Sequence, residues 1–180
     1  MKEEKYFQKH IDTIPNFPKE GIMFRDITPT IENAEAFRNA IDTMAELIKD
    51  LDFNKIICAD ARGFLFGAAL SYKLGKDLVL SRKPGKLPRP QFSYSYTLEY
   101  GNNSLEISDG SIQEGDRVLA VDDLLATGGS ALAMMKLVEM AKGTNVGAIF
   151  YIELIDLKGE DAIKKEFDIP VISLVKYKGE

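Results

Sequence analysis

Apolar residues at Phe37, Ile41, Met44, Ala45, Ile48 and Leu51 recur every three or four positions, which predicts a helix over 33–51 with one face turned to a core. Short apolar runs follow at Ile56–Ala59, Asp77–Ser81, Arg117–Val121, Val146–Leu154 and Val171–Val175, each of strand length. Between them lie helical stretches at Phe64–Leu74, which Gly75 ends, and at Ser130–Lys142, where Leu132, Met135, Leu137, Val138 and Met140 share a face. This alternation predicts an α/β protein with a parallel sheet, helices on both faces and ligands outside the carboxyl ends of the strands.

Two regions depart from that rhythm. From Phe92 to Tyr100 apolar and polar letters alternate strictly, the period of a half-exposed antiparallel strand. Gly101-Asn-Asn103 reads as a turn, with Leu105 and Ile107 opening the return strand, so a β-hairpin arm is expected beside the sheet. Residues 2–11 predict a short helix. Pro15 and Pro18 then break the chain, and Gly21–Ile27 suits a short strand or extended arm.

The chain has 180 residues, enough for one core of ordinary size. With 45% apolar and 28% charged letters it has the composition of a globular protein. A net charge of −5 argues against a general nucleic-acid binder. One cysteine, Cys58, excludes an internal disulfide, and its apolar neighbours make it a buried strand residue. A single histidine, His10, removes histidine triads and metal clusters. No signal peptide or membrane-length apolar run is seen, so the cytoplasm is the expected compartment.

The chemistry concentrates after the strand ending at Val121. Asp122 and Asp123 come first, and Leu124-Leu-Ala126 leads into Thr127-Gly-Gly-Ser130, with Ser130 placed to cap the following helix. Glycines let a backbone approach closely. Successive N–H groups at a helix start, with the Thr127 and Ser130 hydroxyls, suit a phosphate. Ionised carboxylates only accept hydrogen bonds, and sugar hydroxyls donate them. For both acids to reach one sugar the chain should be turning there, at the expected strand end. A strand, a tight turn and a capped helix would be the plain reading, but it leaves unexplained two acids beside an anion seat. The loop is neither a Walker loop nor a dinucleotide-binding turn.

Two further clusters carry charge. Arg82-Lys83-Pro-Gly-Lys86-Leu-Pro-Arg89 places four cations and no acid in a loop after a strand. It reads equally as a solvated loop or as a clamp for a second anion; hydrogen bonds to charged groups contribute about 1.5–3 kcal/mol each. Asp60-Ala61-Arg62-Gly63 opens the helix after another strand, so its amides and Arg62 could face an anion.

Taken in order, Phe17–Pro29, Asp60–Gly67, Arg82–Pro88, Leu98–Gly101 and Val121–Ser130 resemble the adenine phosphoribosyltransferase family of the type I phosphoribosyltransferases, and the likeness covers nearly the whole chain. It implies the type I fold: a central, mainly parallel sheet flanked by helices, a projecting β-hairpin arm and a small N-terminal hood. Residues 1–32 would form the hood over the base pocket. Residues 33–180 would form the core, with a flexible basic loop and arm at 82–108. The implied reaction moves phosphoribose from 5-phosphoribosyl 1-diphosphate to adenine, with Mg²⁺ held through substrate and water near Asp122 and Asp123 rather than by direct ligands.

By the same resemblance, Asp122 and Asp123 grip the ribose hydroxyls, and Ala126, Thr127, Gly128, Gly129 and Ser130 hold the 5′-phosphate. Arg62 and Ala61 face the leaving diphosphate, with Arg82, Lys83 and Lys86, part of them from a neighbouring subunit of a homodimer. Phe24 and the Arg25 backbone line the adenine pocket. Glu99 is the acid/base partner of the purine, and Tyr100 belongs to the closing arm. A cis peptide bond is implied at Asp60–Ala61. Ala126 stands where 6-oxopurine enzymes resemble one another in an aspartate, which favours adenine. Residues 89–95 match no firm motif, and Asp60-Ala61 replaces the Asp-Ser of some relatives. A sister enzyme acting on xanthine, guanine or hypoxanthine remains the alternative. A non-catalytic donor sensor is more remote, lacking a nucleic-acid-binding domain or basic face.

Overall fold

The computed structural model describes residues 2–98 and 101–178. Five parallel strands form the central sheet: β3 (Lys55–Ala59), β4 (Asp77–Ser81), β7 (Arg117–Leu125), β8 (Thr144–Leu154) and β9 (Val171–Tyr177), in spatial order β4-β3-β7-β8-β9. The chain runs from β3 outward to β4, and from β7 outward the other way through β8 to β9. The order therefore reverses between β3 and β7, the place where open α/β sheets leave a crevice at their carboxyl edge.

Each face of the sheet has its own core. On one, Ile56, Cys58, Leu119, Val121, Ile149 and Tyr151 pack with α3 (Ala34–Leu47) and α4 (Gly63–Leu74). On the other, Ile57, Val118, Ala120, Ala148 and Phe150 pack against α5 (Gly129–Met140), α6 (Gly159–Glu166) and the hairpin strand β6 (Gly101–Ser108). Alternate residues of one strand thus serve opposite cores, which explains why these strands read as continuous apolar runs. Cys58 is fully buried, and burial pushes its thiol up to about 12, so it is packing rather than a nucleophile.

Two antiparallel ribbons flank the sheet. At the N-terminus, after α1 (Glu4–Gln8), β1 (Asp12–Pro15) pairs with β2 (Met23–Asp26), and α2 (Thr28–Glu32) returns the chain to the core. Thr30 Oγ1, at 2.9 Å from Tyr151 Oη, ties α2 to the sheet, and the Arg25 guanidinium lies 4.1 Å from the Tyr177 ring centre. The second ribbon is the expected arm, β5 (Pro90–Leu98) with β6. Its alternation is real: Phe92, Tyr94 and Tyr96 turn toward the core and the intervening residues outward.

Several expectations need correction. Gly101-Asn-Asn103 is strand rather than turn, continuing the ladder through Tyr96↔Asn103 and Thr97↔Asn102 to Leu98↔Gly101. The helix expected over 33–51 stops at Leu47, although Ile48 and Leu51 still pack on the core; the apolar spacing there reports burial, not helix. Asn33 caps its start by accepting from the Glu35 and Ala36 amides. β1, α2 and α6 were not expected at all.

Candidate active site

The carboxyl ends of β3 and β7 face each other across a cleft of about 480 Å³, lined by Ala59–Arg62 from one side and Asp122–Ala131 from the other. It opens at the reversal of strand order. β7 does not end at Val121 as expected but continues through Leu125, pairing with β8 as far as Leu125↔Glu153. Asp122 and Asp123 are therefore strand residues, and no turn brings them together. They are 8% and 5% exposed. Asp122 Oδ1 accepts the Asp123 amide at 2.9 Å, and Asp123 Oδ2 pairs with Arg62 Nε at 2.9 Å.

Burial raises the pKa of both acids. At Asp122 the neighbouring Asp123 charge adds to the rise, while at Asp123 the Arg62 guanidinium opposes it. Two carboxylates against one guanidinium leave negative charge that hydroxyl donors or a cation would relieve. Gly63 contributes without a side chain, since a Cβ there would lie 2.4 Å from Asp122 Oδ1. Nothing in the sequence marked Gly63 in that role, because Asp122 lies 59 residues further on.

Beyond the acids, Ala126 and exposed Thr127 lead to Gly128, whose φ of +89° suits glycine, and α5 begins at Gly129. Gly128 is thus the cap, and Ser130 stands inside the first turn, not at the capping position. The amides of a helix's first turn have no intrahelical acceptor, so this end of the cleft presents donors and a positive helix end. Ser130 Oγ meets Tyr96 Oη of the arm at 3.2 Å.

A second cavity, about 420 Å³, lies beside the first under the N-terminal ribbon. Ile14, Phe17, Phe24, Asp26, Ile27, Thr28 and Arg62 line it. Phe17 and Phe24 meet edge to face at 5.0 Å, and the Arg62 guanidinium lies 5.4 Å from the Phe24 ring centre. Strand alternation sends Phe24 and Asp26 to this cavity and the Arg25 side chain away from it, to Thr13 and Tyr177. Asp26 accepts the side-chain hydroxyl (2.6 Å) and amide (2.9 Å) of Thr28, bonds that hold its pKa below the ordinary value. Arg62 borders both cavities.

A phosphoribosyl transferase domain model matches residues 30–175. A curated adenine phosphoribosyltransferase of Thermosipho melanesiensis is 50% identical over 94% of this chain and 95% of its own length. The crystal structure of adenine phosphoribosyltransferase from Thermoanaerobacter pseudethanolicus superposes with a TM-score of 0.91, at 47% identity over 96% of this chain and 99% of that one. The chain belongs to the adenine phosphoribosyltransferase family. The Saccharomyces cerevisiae member, solved with adenine and an imino-altritol bisphosphate, superposes with a TM-score of 0.86, at 36% identity over 96% of this chain and 98% of that one.

Within this family fold, the expected residues divide into three groups. Ala61, Arg62, Asp122, Asp123, Ala126, Thr127, Gly128, Gly129 and Ser130 share the first cleft, and Phe24 lines the second. The Asp60–Ala61 peptide is cis. Arg82 reaches the same turn, its Nε 3.4 Å from Asp60 Oδ2, while Lys83 and Lys86 are exposed and do not line the cleft. Glu99 and Tyr100 lie outside the described residues. Among the described residues no group of three or more His, Cys, Asp or Glu side chains could hold a metal ion, and no helix is long and apolar enough to cross a membrane.

Proposed function

We propose that this protein transfers the 5-phosphoribosyl group from 5-phosphoribosyl 1-diphosphate to adenine, releasing AMP and diphosphate, as a purine-salvage enzyme. The observation that carries this reading is the adjacency of two unlike cavities through one side chain. A charged cleft ending in a helix-start phosphate loop abuts an aromatic cavity of base size, with Arg62 in both. A sugar phosphate seated in the first would point C1′ at a purine in the second.

The bond from C1′ to the diphosphate oxygen breaks with its electron pair going to the leaving group, and the bond to purine N9 forms. Asp122 and Asp123 hold the ribose hydroxyls and lie near the sugar as it becomes cation-like. Arg62 and the cis turn at Ala61 meet the charge that collects on the diphosphate, the kind of preorganised stabilisation that is usually largest in such sites. Arg82 reaches that turn already, while Lys83 and Lys86 would join when the basic loop closes. Glu99 would exchange the purine ring proton, with Tyr100 on the same arm excluding water. Phe24 and the Arg25 backbone would hold the base.

Mg²⁺ fits as the donor's counter-ion, since the two carboxylates face only one guanidinium; when bound it neutralises phosphate charge. Residues 1–32 would act as the hood and 33–180 as the catalytic core. A homodimer in the cytoplasm completes the reading.

The test is direct. Protein, donor and Mg²⁺ are incubated with adenine, hypoxanthine, guanine or xanthine separately, and nucleotide is measured. AMP from adenine, with no product from the others, is expected. Product from a 6-oxopurine alone, or donor binding without turnover, would contradict the proposal.

A further inference from the structure

Behind the phosphate loop stands a glycine that the reaction chemistry leaves unused. α6 begins at Gly159, directly after Lys158 in the left-handed conformation. A Cβ on Gly159 would lie 2.3 Å from the Ala126 carbonyl oxygen and 2.7 Å from Leu125 Cδ1. From the opposite side, a Cβ on Gly128 would lie 3.1 Å from the Gly159 carbonyl oxygen and 3.4 Å from Ala162 Cβ. Loop and helix start therefore meet at two backbone carbonyls, with the Leu125 side chain and the Ala162 methyl closing the contact.

α6 is tied to its neighbours on the far side. Lys136 of α5 pairs with Glu166 at 2.8 Å, Glu160 with Lys176 of β9 at 3.5 Å, and Ile163 is fully buried. Volume added at position 159 presses on Leu125, on the Ala126 carbonyl and through it on the residues that follow. These carry the helix-start amides toward the cleft.

We propose that Gly159 is a positioning residue for the sugar's 5′-phosphate: its bare backbone sets how deep the Ala126–Ser130 loop sits, and so where the loop's amides converge. This rests on the assignment of that loop to the phosphate. A side chain at 159 drives the loop into the seat, while the base cavity, built from β1, β2 and α2, stays as it is.

The probe pair is AMP and adenosine, which differ only by the phosphate. Their affinities are measured by calorimetry for the full-length protein and for Gly159→Ala, Ala162→Val and Gly147→Ala. A Cβ at Gly147 meets the Leu51 side chain at 3.0 Å, at the far end of β8 from the cleft. G159A is expected to weaken AMP about tenfold or more and leave adenosine unchanged. A162V, pressing on Gly128 from the next turn, should act in the same direction more weakly, and it decides the matter if G159A does not fold. G147A should lower the melting temperature without altering the AMP-to-adenosine ratio, which separates positioning from general destabilisation. An unchanged ratio in a folded G159A, or in A162V should G159A not fold, would overturn the inference. Wild-type protein that binds AMP no better than adenosine would instead remove the phosphate assignment beneath it.

Discussion

At the donor end of the site, Asp122 and Asp123 are held at 8% and 5% exposure on the middle strand of a five-stranded sheet, with the Asp122 carboxylate close against Gly63. At the base end, Ile14 on the two-stranded ribbon and Phe17 in the loop that joins its strands are 41% and 51% exposed. The donor end is buried and charged, with its acids, Arg62 and the glycine turn already gathered in one cleft. The base end is apolar and half open, so a flat ring would itself complete the stack between its aromatic walls. Charge stabilisation needs fixed dipoles in a water-poor place, whereas holding a base needs only apolar area and a few hydrogen bonds.

Arg62 belongs to both ends, so its loss is the strongest challenge to that division. R62A should lower kcat by roughly 10²–10³. Near-normal turnover would remove Arg62 from the chemistry. Asp122→Asn sharpens the donor side alone. It should raise the donor KM by roughly 10- to 10²-fold, on the energy of a hydrogen bond to a charged group, and leave the adenine KM unaltered. Phe24→Ala addresses the base side. An aromatic contact of about 0.5–1.5 kcal/mol corresponds to a rise in adenine KM of roughly 2- to 12-fold, without effect on donor KM.

The smallest effect concerns pH. Burial raises the pKa of Asp122 and Asp123, so the empty protein keeps protons that free aspartates would lose. Folded stability should then fall as pH rises from the ordinary aspartate range through the raised values, since the native state binds more protons there. Sugar hydroxyls favour the ionised acids, so donor binding in that range should release protons and weaken as pH drops. Calorimetry in buffers of different ionisation enthalpy reads this release, which D122N should diminish.

Much of the donor end was legible in the sequence because its parts are contiguous: an apolar run, paired acids and a glycine turn between Arg117 and Ser130, at a place where strand alternation predicts a crevice. Even there, the acids were expected at a turn and lie on a strand, and Ser130 was expected to cap a helix that Gly128 caps. Periodicity registers what is buried, and buried carboxylates do not look buried in a sequence. The base end was legible only through resemblance. Its cavity joins Ile14 and Phe17 to Arg62 across some 45 residues, and the ribbon that does so contains a strand, β1, ending in a proline. Gly63 was legible as an amide in an anion-facing turn but not as the place that admits the Asp122 carboxylate, and Gly159 not at all, because what matters there is the atom each lacks beside a distant neighbour.

The most direct measurement is a crystal structure with AMP bound. The 5′-phosphate should lie against the amides of the Thr127–Ser130 turn, the ribose hydroxyls on Asp122 and Asp123, and the purine between Phe24 and its neighbours under the N-terminal ribbon. A phosphate seated at the basic loop instead, or a purine outside the aromatic cavity, would contradict the division of the site into a charged donor seat and an apolar base seat.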